Sequence, residues 1–486
     1  MITTDSVEAR LRARGIPFAW IGSPPGGFAA LRVDSRRVGR GDLFCAIDGT
    51  LVDGHAFVAA AAAAGAAGAV VEREIETEIP LLRVPESRVA TAHLAALAAG
   101  DPATLLRVVG VTGTNGKTTT TLLLRHLLGA AGPAAALGTL GLWLPDGSRS
   151  PRGRMTTPGP LQLNDDLAEA RSAGAEWLTM EVSSHALDQR RVDAVRFAAA
   201  LFTNLSREHL DYHPDMASYL AAKLRLLDHL EDEGVAIVNA DDPAWRTAEF
   251  EPIRCVRFGL HEKADVRAEG VRHGADGSSW RLATPGGAVD VRLPLLGDFN
   301  VSNALGAAAT AYAVGVSLDA LADRLATAPQ VPGRMETLAG PPGPLVVRDY
   351  AHTPDGMTRA LAALRRLAPG RLTVVFGCGG DRDRGKRPLM GEAAVAGADR
   401  VIVTTDNPRT EPLERIMGDI LSSLPAGSAE VIDDRAEAIE VALAGAEAGD
   451  VVLLAGKGHE TYQDVGGEKL PFDEAAVVSS LIGGGG

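Results

Sequence analysis

Cysteine is scarce in this chain. Cys45, Cys255 and Cys378 are the three among 486 residues. An odd number at wide intervals offers neither a disulfide framework nor a Cys-x-x-Cys metal site, and it fits a reducing compartment. Basic residues are in deficit as well: 48 Lys and Arg stand against 62 Asp and Glu, a formal net charge of −14. No global field draws in polyanions. That argues against nucleic acid or an anionic membrane as partner, and leaves room for a local basic site that takes a small phosphorylated molecule. Apolar runs of membrane-spanning length are also lacking. The segment Phe57 to Val71 is alanine-rich and uncharged, but it is short for a span. It reads as a buried helix running into the strand Ala69-Val-Val71. The start, Met1-Ile-Thr-Thr-Asp-Ser6, has no basic patch and no apolar core, so no secretory signal and no membrane insertion are expected. Internal repeats are absent, and the only compositional bias is toward alanine.

What is present is ordinary for a globular protein: 46% hydrophobic and 23% charged residues. The length exceeds one core and predicts three domains. The first, over residues 1–100, alternates short strands and alanine-rich helices and carries no catalytic signature by itself. The second, 101–330, has strands such as Trp177–Val182 and Ala198–Thr203, each feeding a polar loop. That rhythm predicts a mostly parallel sheet with ligands at the carboxyl ends of its strands. Between Val266 and Leu293 short alternating strands and glycine turns predict a small antiparallel appendage, followed by a helix from Asn300 to Ala313. Val331-Pro-Gly-Arg334 reads as a hinge. Beyond it, 331–486 is a Rossmann-like α/β domain. Three of its strands lead into charged loops: Gly377–Gly385, Asp406–Arg409 and Gly456–Glu460. Parallel strands would bring these loops to one site.

The strongest local signal is Gly110-Val-Thr-Gly-Thr-Asn-Gly-Lys-Thr-Thr-Thr120. An apolar run, Leu105–Val109, precedes it as a strand, and Thr121–Leu128 continues it as a helix. Strand, glycine loop and a Lys-Thr helix start form a phosphate cradle. Gly113 and Gly116 turn backbone N–H groups inward, Lys117 supplies positive charge, and the Thr118 hydroxyl suits a magnesium ion. The general P-loop pattern wants a further glycine where Val111 stands, so a shorter Gly-Thr-Asn-Gly-Lys-Thr form is in use. Downstream, Glu181 ends a strand, and His209 and His213 lie in a polar run. Both Glu181 and His209 are placed to reach such an ion, which needs few protein ligands. A zinc helix is disfavoured because His-Glu-x-x-His is absent. Lys223 shares a helix face with Leu220 and Leu227. It either snorkels to water or, with its pKa lowered by burial, adds carbon dioxide to form a carbamate that holds metal.

Taken together, Gly113–Thr119, Glu181-Val-Ser-Ser-His185, Asn204–His213 with Lys223 ten residues on, Gly297-Asp-Phe-Asn300 and Gly333-Arg334 resemble the Mur ligases, ATP-dependent amide-bond formers of peptidoglycan precursor synthesis. The resemblance spans essentially the whole chain, in family order. It implies that Gly113, Thr114, Asn115, Gly116, Lys117, Thr118 and Thr119 hold the ATP phosphates. Asn300 would read the adenine, and Arg334 and Asp349 would contact the nucleotide. Thr118, Glu181 and His209 would serve Mg2+, with Lys223 as a carbamylated ligand. Ser35, Thr50, Leu51 and Val52 would meet the UDP-sugar end of a UDP-N-acetylmuramoyl-dipeptide. Thr156, Thr157, Ser183, Gln189 and Arg191 would hold its peptide part. Asp406, Asn407, Pro408 and Arg409, completed by Arg382, Gly456 and Glu460, resemble the form that takes meso-diaminopimelate rather than L-lysine. An arginine fork matches the distal carboxylate that lysine lacks, and Glu460 suits the distal ammonium. The activity implied is ATP-dependent addition of diaminopimelate to the D-glutamate of UDP-N-acetylmuramoyl-L-alanyl-D-glutamate through an acyl phosphate, by a cytoplasmic monomer. An L-lysine-adding relative, a folate-polyglutamylating ligase and a silent nucleotide-binding regulator remain the alternatives.

Overall fold

Short, mostly apolar runs form the buried parallel strands of this protein, and the loops at their carboxyl ends carry many of the polar residues singled out above. The computed structural model describes residues 2–49, 52–150, 155–246, 248–261 and 263–483. It divides into two compact units, Met1–Val266 with Gly306–Ser317, and Arg267–Leu305 with Leu318–Gly486.

The first unit opens with helix α1 (Thr4–Ala13) and a five-stranded sheet. Its strands are β1 (Ala19–Ile21), β2 (Leu31–Arg32), β3 (Leu43–Cys45), β4 (Gly68–Val71) and β5 (Leu81–Arg83), in the order β1-β5-β4-β3-β2. All neighbours are parallel except β1 with β5. Helices α2 (Val58–Ala63) and α3 (Ser87–Ala98) pack beside it. The alanine-rich segment is therefore not the continuous buried helix its composition suggests. Its α-helical part is six residues long, with Val58 and Ala61 buried and Ala59, Ala60 and Ala63 exposed. Gly65, in the left-handed region, turns the chain before β4.

A second sheet in this unit holds the phosphate loop. It comprises β6 (Arg107–Thr112), β7 (Ala134–Gly138), β8 (Gly141–Trp143), β9 (Trp177–Glu181), β10 (Phe197–Phe202), β11 (Leu230–Asn239) and β12 (Arg254–Gly259), in the order β8-β7-β9-β6-β10-β11-β12. Every pair is parallel except β7 with β8. Strand β6 begins two residues later than the apolar run suggests, because Pro102–Leu105 forms a 3-10 turn that leaves Leu105 exposed. The crossovers include α4 (Lys117–Leu128), α5 (Pro160–Ser172), α6 (Ser184–Asp188) and α7 (Met216–Leu224). Val108, Leu137, Leu178, Met180, Phe197, Phe202 and Trp245 share one core there. Each such side chain contributes about 1.5–3 kcal/mol on burial, enough in sum to fix the strand ends on which the site depends.

The second unit begins with two hairpin turns linking β13 (Val266–Gly274), β14 (Gly277–Thr284) and β15 (Gly287–Leu293), all antiparallel. Helix α8 (Asp298–Ala313) follows, with its residues from Gly306 onward counted in the first unit. A six-stranded sheet then comprises β16 (Glu336–Ala339), β17 (Leu345–Asp349), β18 (Leu372–Phe376), β19 (Arg400–Val403), β20 (Glu430–Val431) and β21 (Val451–Ala455), ordered β16-β17-β21-β18-β19-β20. Only β16 runs antiparallel to its neighbour. Helices α9 (Pro354–Arg365), α10 (Lys386–Gly397), α11 (Leu413–Leu421), α12 (Arg435–Ala444) and α13 (Glu474–Gly483) accompany this sheet. Strands β21, β18 and β19 are adjacent and parallel, so the loops that follow them emerge at one edge, as the sequence pattern requires.

Candidate active site

The phosphate loop is held open by its own backbone. Gly113 has φ +147 and Gly116 has φ +83, and a Cβ on Gly113 would overlap the Thr203 hydroxyl. That hydroxyl donates to the Asn115 carbonyl at 2.8 Å. Asn204 braces the loop from β10's end: its carbonyl accepts from Thr114 N at 2.7 Å and its side-chain oxygen from Asn115 N at 2.9 Å. The Thr114 hydroxyl lies 3.2 Å from the Tyr219 hydroxyl on α7. Gly113→Ala is therefore expected to destabilise the chain by about 2–4 kcal/mol and to abolish nucleotide binding. Thermal melting and calorimetric titration with ATP check it; normal ATP affinity in this variant would contradict the reading of the loop.

Lys117 opens α4 and donates to the carbonyls of Gly113 at 2.9 Å and Thr114 at 2.8 Å. Lys223, on α7, donates to the same Gly113 carbonyl at 2.8 Å, with its ammonium 4.5 Å from the centre of the Tyr219 ring. It is 1% exposed. Burial above all, and then the Lys117 charge, push its pKa well below the ordinary lysine value, against a weaker opposing pull from Glu208. The snorkelling alternative is thus excluded: the amine is sequestered, not solvated.

Glu181 is buried at the end of β9. Its carboxylate accepts from the backbone N–H and the hydroxyl of Thr139, at 2.8 and 3.2 Å. It lines the same small cavity as Thr118. His209 has φ +57, and its pKa is lowered by burial first and then by Lys117 and Lys223. Its ring meets His185 edge-on at 4.9 Å. His213 is buried with Nε2 3.0 Å from the Ser184 hydroxyl. A hydroxyl and a carboxylate at one cavity suit a hard cation with oxygen ligands and retained waters.

Beside Glu181 lies a second network. Thr157 donates to the Glu181 carbonyl at 2.9 Å and accepts from Ser183 N at 3.0 Å. Thr156 and Thr139 hydroxyls are 3.0 Å apart. Arg191 donates to the Thr157 carbonyl at 2.8 Å and to Gln189 Oε1 at 2.7 Å. Burial, then the charge of Arg88, lower the Arg191 pKa. A guanidinium placed among neutral groups is suited to an anionic ligand. Ser35 opens a 3-10 turn capped by Asp34, and Val52 is 57% exposed. Thr50 and Leu51 lie outside the described residues.

In the second unit, Arg334 stacks on Tyr350 at 4.6 Å. Asp349 is half-buried and accepts from Met335 N at 2.7 Å. Burial raises its pKa, and the Arg334 charge opposes that rise. Asn300 is buried in the first turn of α8, donating to the Leu296 carbonyl at 2.8 Å and accepting from Asn303 at 3.1 Å. At the β21-β18-β19 edge, Arg409 has φ +52 and donates to the Gly380 carbonyl at 2.6 Å. Asn407 donates to Glu460 at 2.7 Å. Asp406 is buried and lies 3.5 Å from the Lys457 ammonium. Arg382 is exposed on the neighbouring loop. Fully buried Arg387 ties that loop down, bonding to the Gly379 carbonyl, to Glu411 and to Asp419.

Sequence reasoning missed Thr139, Asn204, Lys457 and the Arg387–Glu411 pair as parts of these sites. Asn204 and Lys457 sit inside runs that the sequence already flags. Thr139 and Arg387 carry no local signal, because their importance comes from contacts distant in the chain.

A strand, a glycine loop and a helix opening on Lys117 and Thr118, with a buried carboxylate and a sequestered amine alongside, define a nucleotide-dependent enzyme. Comparison with known proteins narrows this. The descriptions "Mur ligase family, catalytic domain", "Mur ligase middle domain" and "Mur ligase, glutamate ligase domain" match residues 28–103, 111–311 and 333–458. A UDP-N-acetylmuramoyl-L-alanyl-D-glutamate–2,6-diaminopimelate ligase of Gloeobacter violaceus is 45% identical over 92% of each chain. A solved structure of a ligase with the same name is 36% identical, with TM-score 0.69 over 94% of this chain and 95% of that one. A Mycobacterium tuberculosis folylpolyglutamate synthase complexed with ADP and AMPPCP shares the fold, at 18% identity and TM-score 0.61 over 76% and 92%. The chain belongs to the Mur ligase family, whose members are ATP-dependent ligases.

Proposed function

We propose that this protein joins meso-2,6-diaminopimelate to the D-glutamate carboxylate of UDP-N-acetylmuramoyl-L-alanyl-D-glutamate, with ATP as phosphoryl donor and Mg2+ as cofactor, in the cytoplasm. The observation that carries the reading is the convergence of Arg409, Asn407 and Glu460 at one sheet edge, in a chain whose other unit holds the phosphate loop and the Lys223 amine. The three-domain division at about residues 100 and 330 is part of the same proposal.

In this mechanism the loop N–H groups and Lys117 hold the ATP phosphates and neutralise charge that develops on the transferring phosphoryl group. Arg191, with Thr157 and Ser183 fixed around Glu181, holds the anionic dipeptide so that its side-chain carboxylate attacks in line and becomes an acyl phosphate. Thr118 and Glu181, with His209 and carbamylated Lys223, would hold magnesium, which when bound supplies electrostatic stabilisation of the phosphoryl oxygens. Arg409 and Glu460 present the amine, which attacks the acyl carbon and expels phosphate. Thr114, Asn115, Gly116 and Thr119 contribute to the phosphate cradle. Asn300, Arg334 and Asp349 serve the rest of the nucleotide, while Ser35, Val52, Thr156 and Gln189 serve the UDP-substrate.

Phosphate release with the UDP-dipeptide tests the proposal. Diaminopimelate is expected to support turnover at least about 100-fold better in kcat/KM than L-lysine, because a site built around a carboxylate partner rejects a substrate lacking it. Equal rates would sink the assigned amine. Release driven by a folate and glutamate instead would favour the polyglutamylating reading.

A further inference from the structure

Lys457 lies at the centre of the amine pocket and has no role in the mechanism above. Its side chain is 0% exposed, so it does not touch a substrate. Its ammonium donates to Asn407 Oδ1 at 3.2 Å and lies 3.5 Å from Asp406 and 3.7 Å from Glu460. Asn407 in turn donates to the same Glu460 oxygen, at 2.7 Å, and its own oxygen also accepts from Asp464 N at 3.0 Å. Lysine, asparagine and the two carboxylates thus form one closed set. Other charged or titratable groups face it. Arg435 and Glu474, paired at 2.7 Å, are fully buried. Tyr350 senses both Asp406 and Glu460. Tyr462 lies with its ring centre 5.9 Å from the Lys457 ammonium. His459 precedes Glu460, and His352 and Lys386 act on the region of Asp406.

We infer that Lys457 is the positioning residue of the amine pocket: its buried ammonium, bonded to Asn407 Oδ1 and set beside Asp406 and Glu460, holds the two carboxylates together and aims Glu460 at the ammonium of the incoming amino acid. Two carboxylates around one small pocket repel each other, and a cation between them offsets that repulsion. A lysine buried this completely is retained only with partners that compensate its desolvation. Burial lowers the Lys457 pKa, and the charge of Asp406 resists that lowering. The inference rests on the diaminopimelate-adding reading, and a wild-type chain inactive with diaminopimelate would refute that reading first.

Given an active wild type, Lys457→Met is expected to raise the KM for diaminopimelate about tenfold or more while leaving the KM for ATP and for the UDP-dipeptide within about twofold. In an E460Q background the same substitution should cost much less, because the two residues act through one contact. Full additivity with E460Q, or equal changes in all three KM values, overturns the inference. Should K457M fail to fold, K457R decides the point. It keeps the charge in a different shape and cannot make the same contacts, so it should raise the KM for diaminopimelate alone. A K457R variant with an unchanged KM for diaminopimelate overturns the inference as well.

Discussion

Lys223→Ala is expected to lower kcat by about three orders of magnitude or more, the scale for losing a ligand that organises phosphoryl-transfer chemistry. The variant should regain part of its activity when a short carboxylate such as formate or acetate is added. Lys117 and Lys223 donate to one carbonyl, that of Gly113. Two ammonium groups so close, one of them fully buried, cannot both remain protonated without strong cost. Burial and its neighbour push the Lys223 pKa well down, which favours the neutral amine that is nucleophilic toward carbon dioxide. Adding carbon dioxide would place a carboxylate beside Lys117. As pH falls through the depressed pKa, protonation of the amine is expected to cost the carbamate, so activity should fall on the acid side. Labelling with 13C-enriched bicarbonate and observing a carbamate carbon by NMR checks the modification directly. An alanine variant with unimpaired turnover, or a lysine that never takes up label, would rule out the carbamate.

Arg409→Ala is expected to raise the KM for diaminopimelate about 100-fold, the size of losing a charge-assisted, two-pronged contact. The KM for ATP should stay within about twofold. The guanidinium is held at the Gly380 carbonyl and lies 4.0 Å from Asp464, so one edge is anchored by the protein. The fully buried Arg387 keeps the Gly379–Gly380 stretch in place from below. Steady-state kinetics with each substrate varied in turn distinguishes this from a general loss of structure. Parallel rises in every KM would count against the assignment.

Much of this was legible in the sequence. Apolar runs of four to six residues, Trp177–Val182, Leu372–Phe376, Val401–Thr404 and Val451–Leu454, gave away the strands, because a buried parallel strand has to be apolar on both faces. The polar residue that follows each run then marks a sheet edge. The glycines of the phosphate loop were legible for a different reason: positive φ is open to few other residues. Thr139 was hidden because it reaches Glu181 across 42 positions of chain. Lys457 was hidden by its neighbours, since a Gly-Lys-Gly-His-Glu loop looks solvated until the sheet buries it. The alanine run at Phe57–Val71 misled because alanine is indifferent to burial, so composition there could not separate the short exposed turn of helix from a core element.

One consequence of the left-handed backbone at Arg409 concerns how this position can drift over generations. Arginine is seldom found at φ +52, and glycine or asparagine would sit there with less strain. With Arg409 selecting the amine as proposed, selection for a stable chain and selection for that amine pull residue 409 in opposite directions. Once a lineage no longer needs to recognise the second carboxylate, nothing in the local backbone favours keeping the arginine, and relaxation of the loop comes within reach of a single substitution.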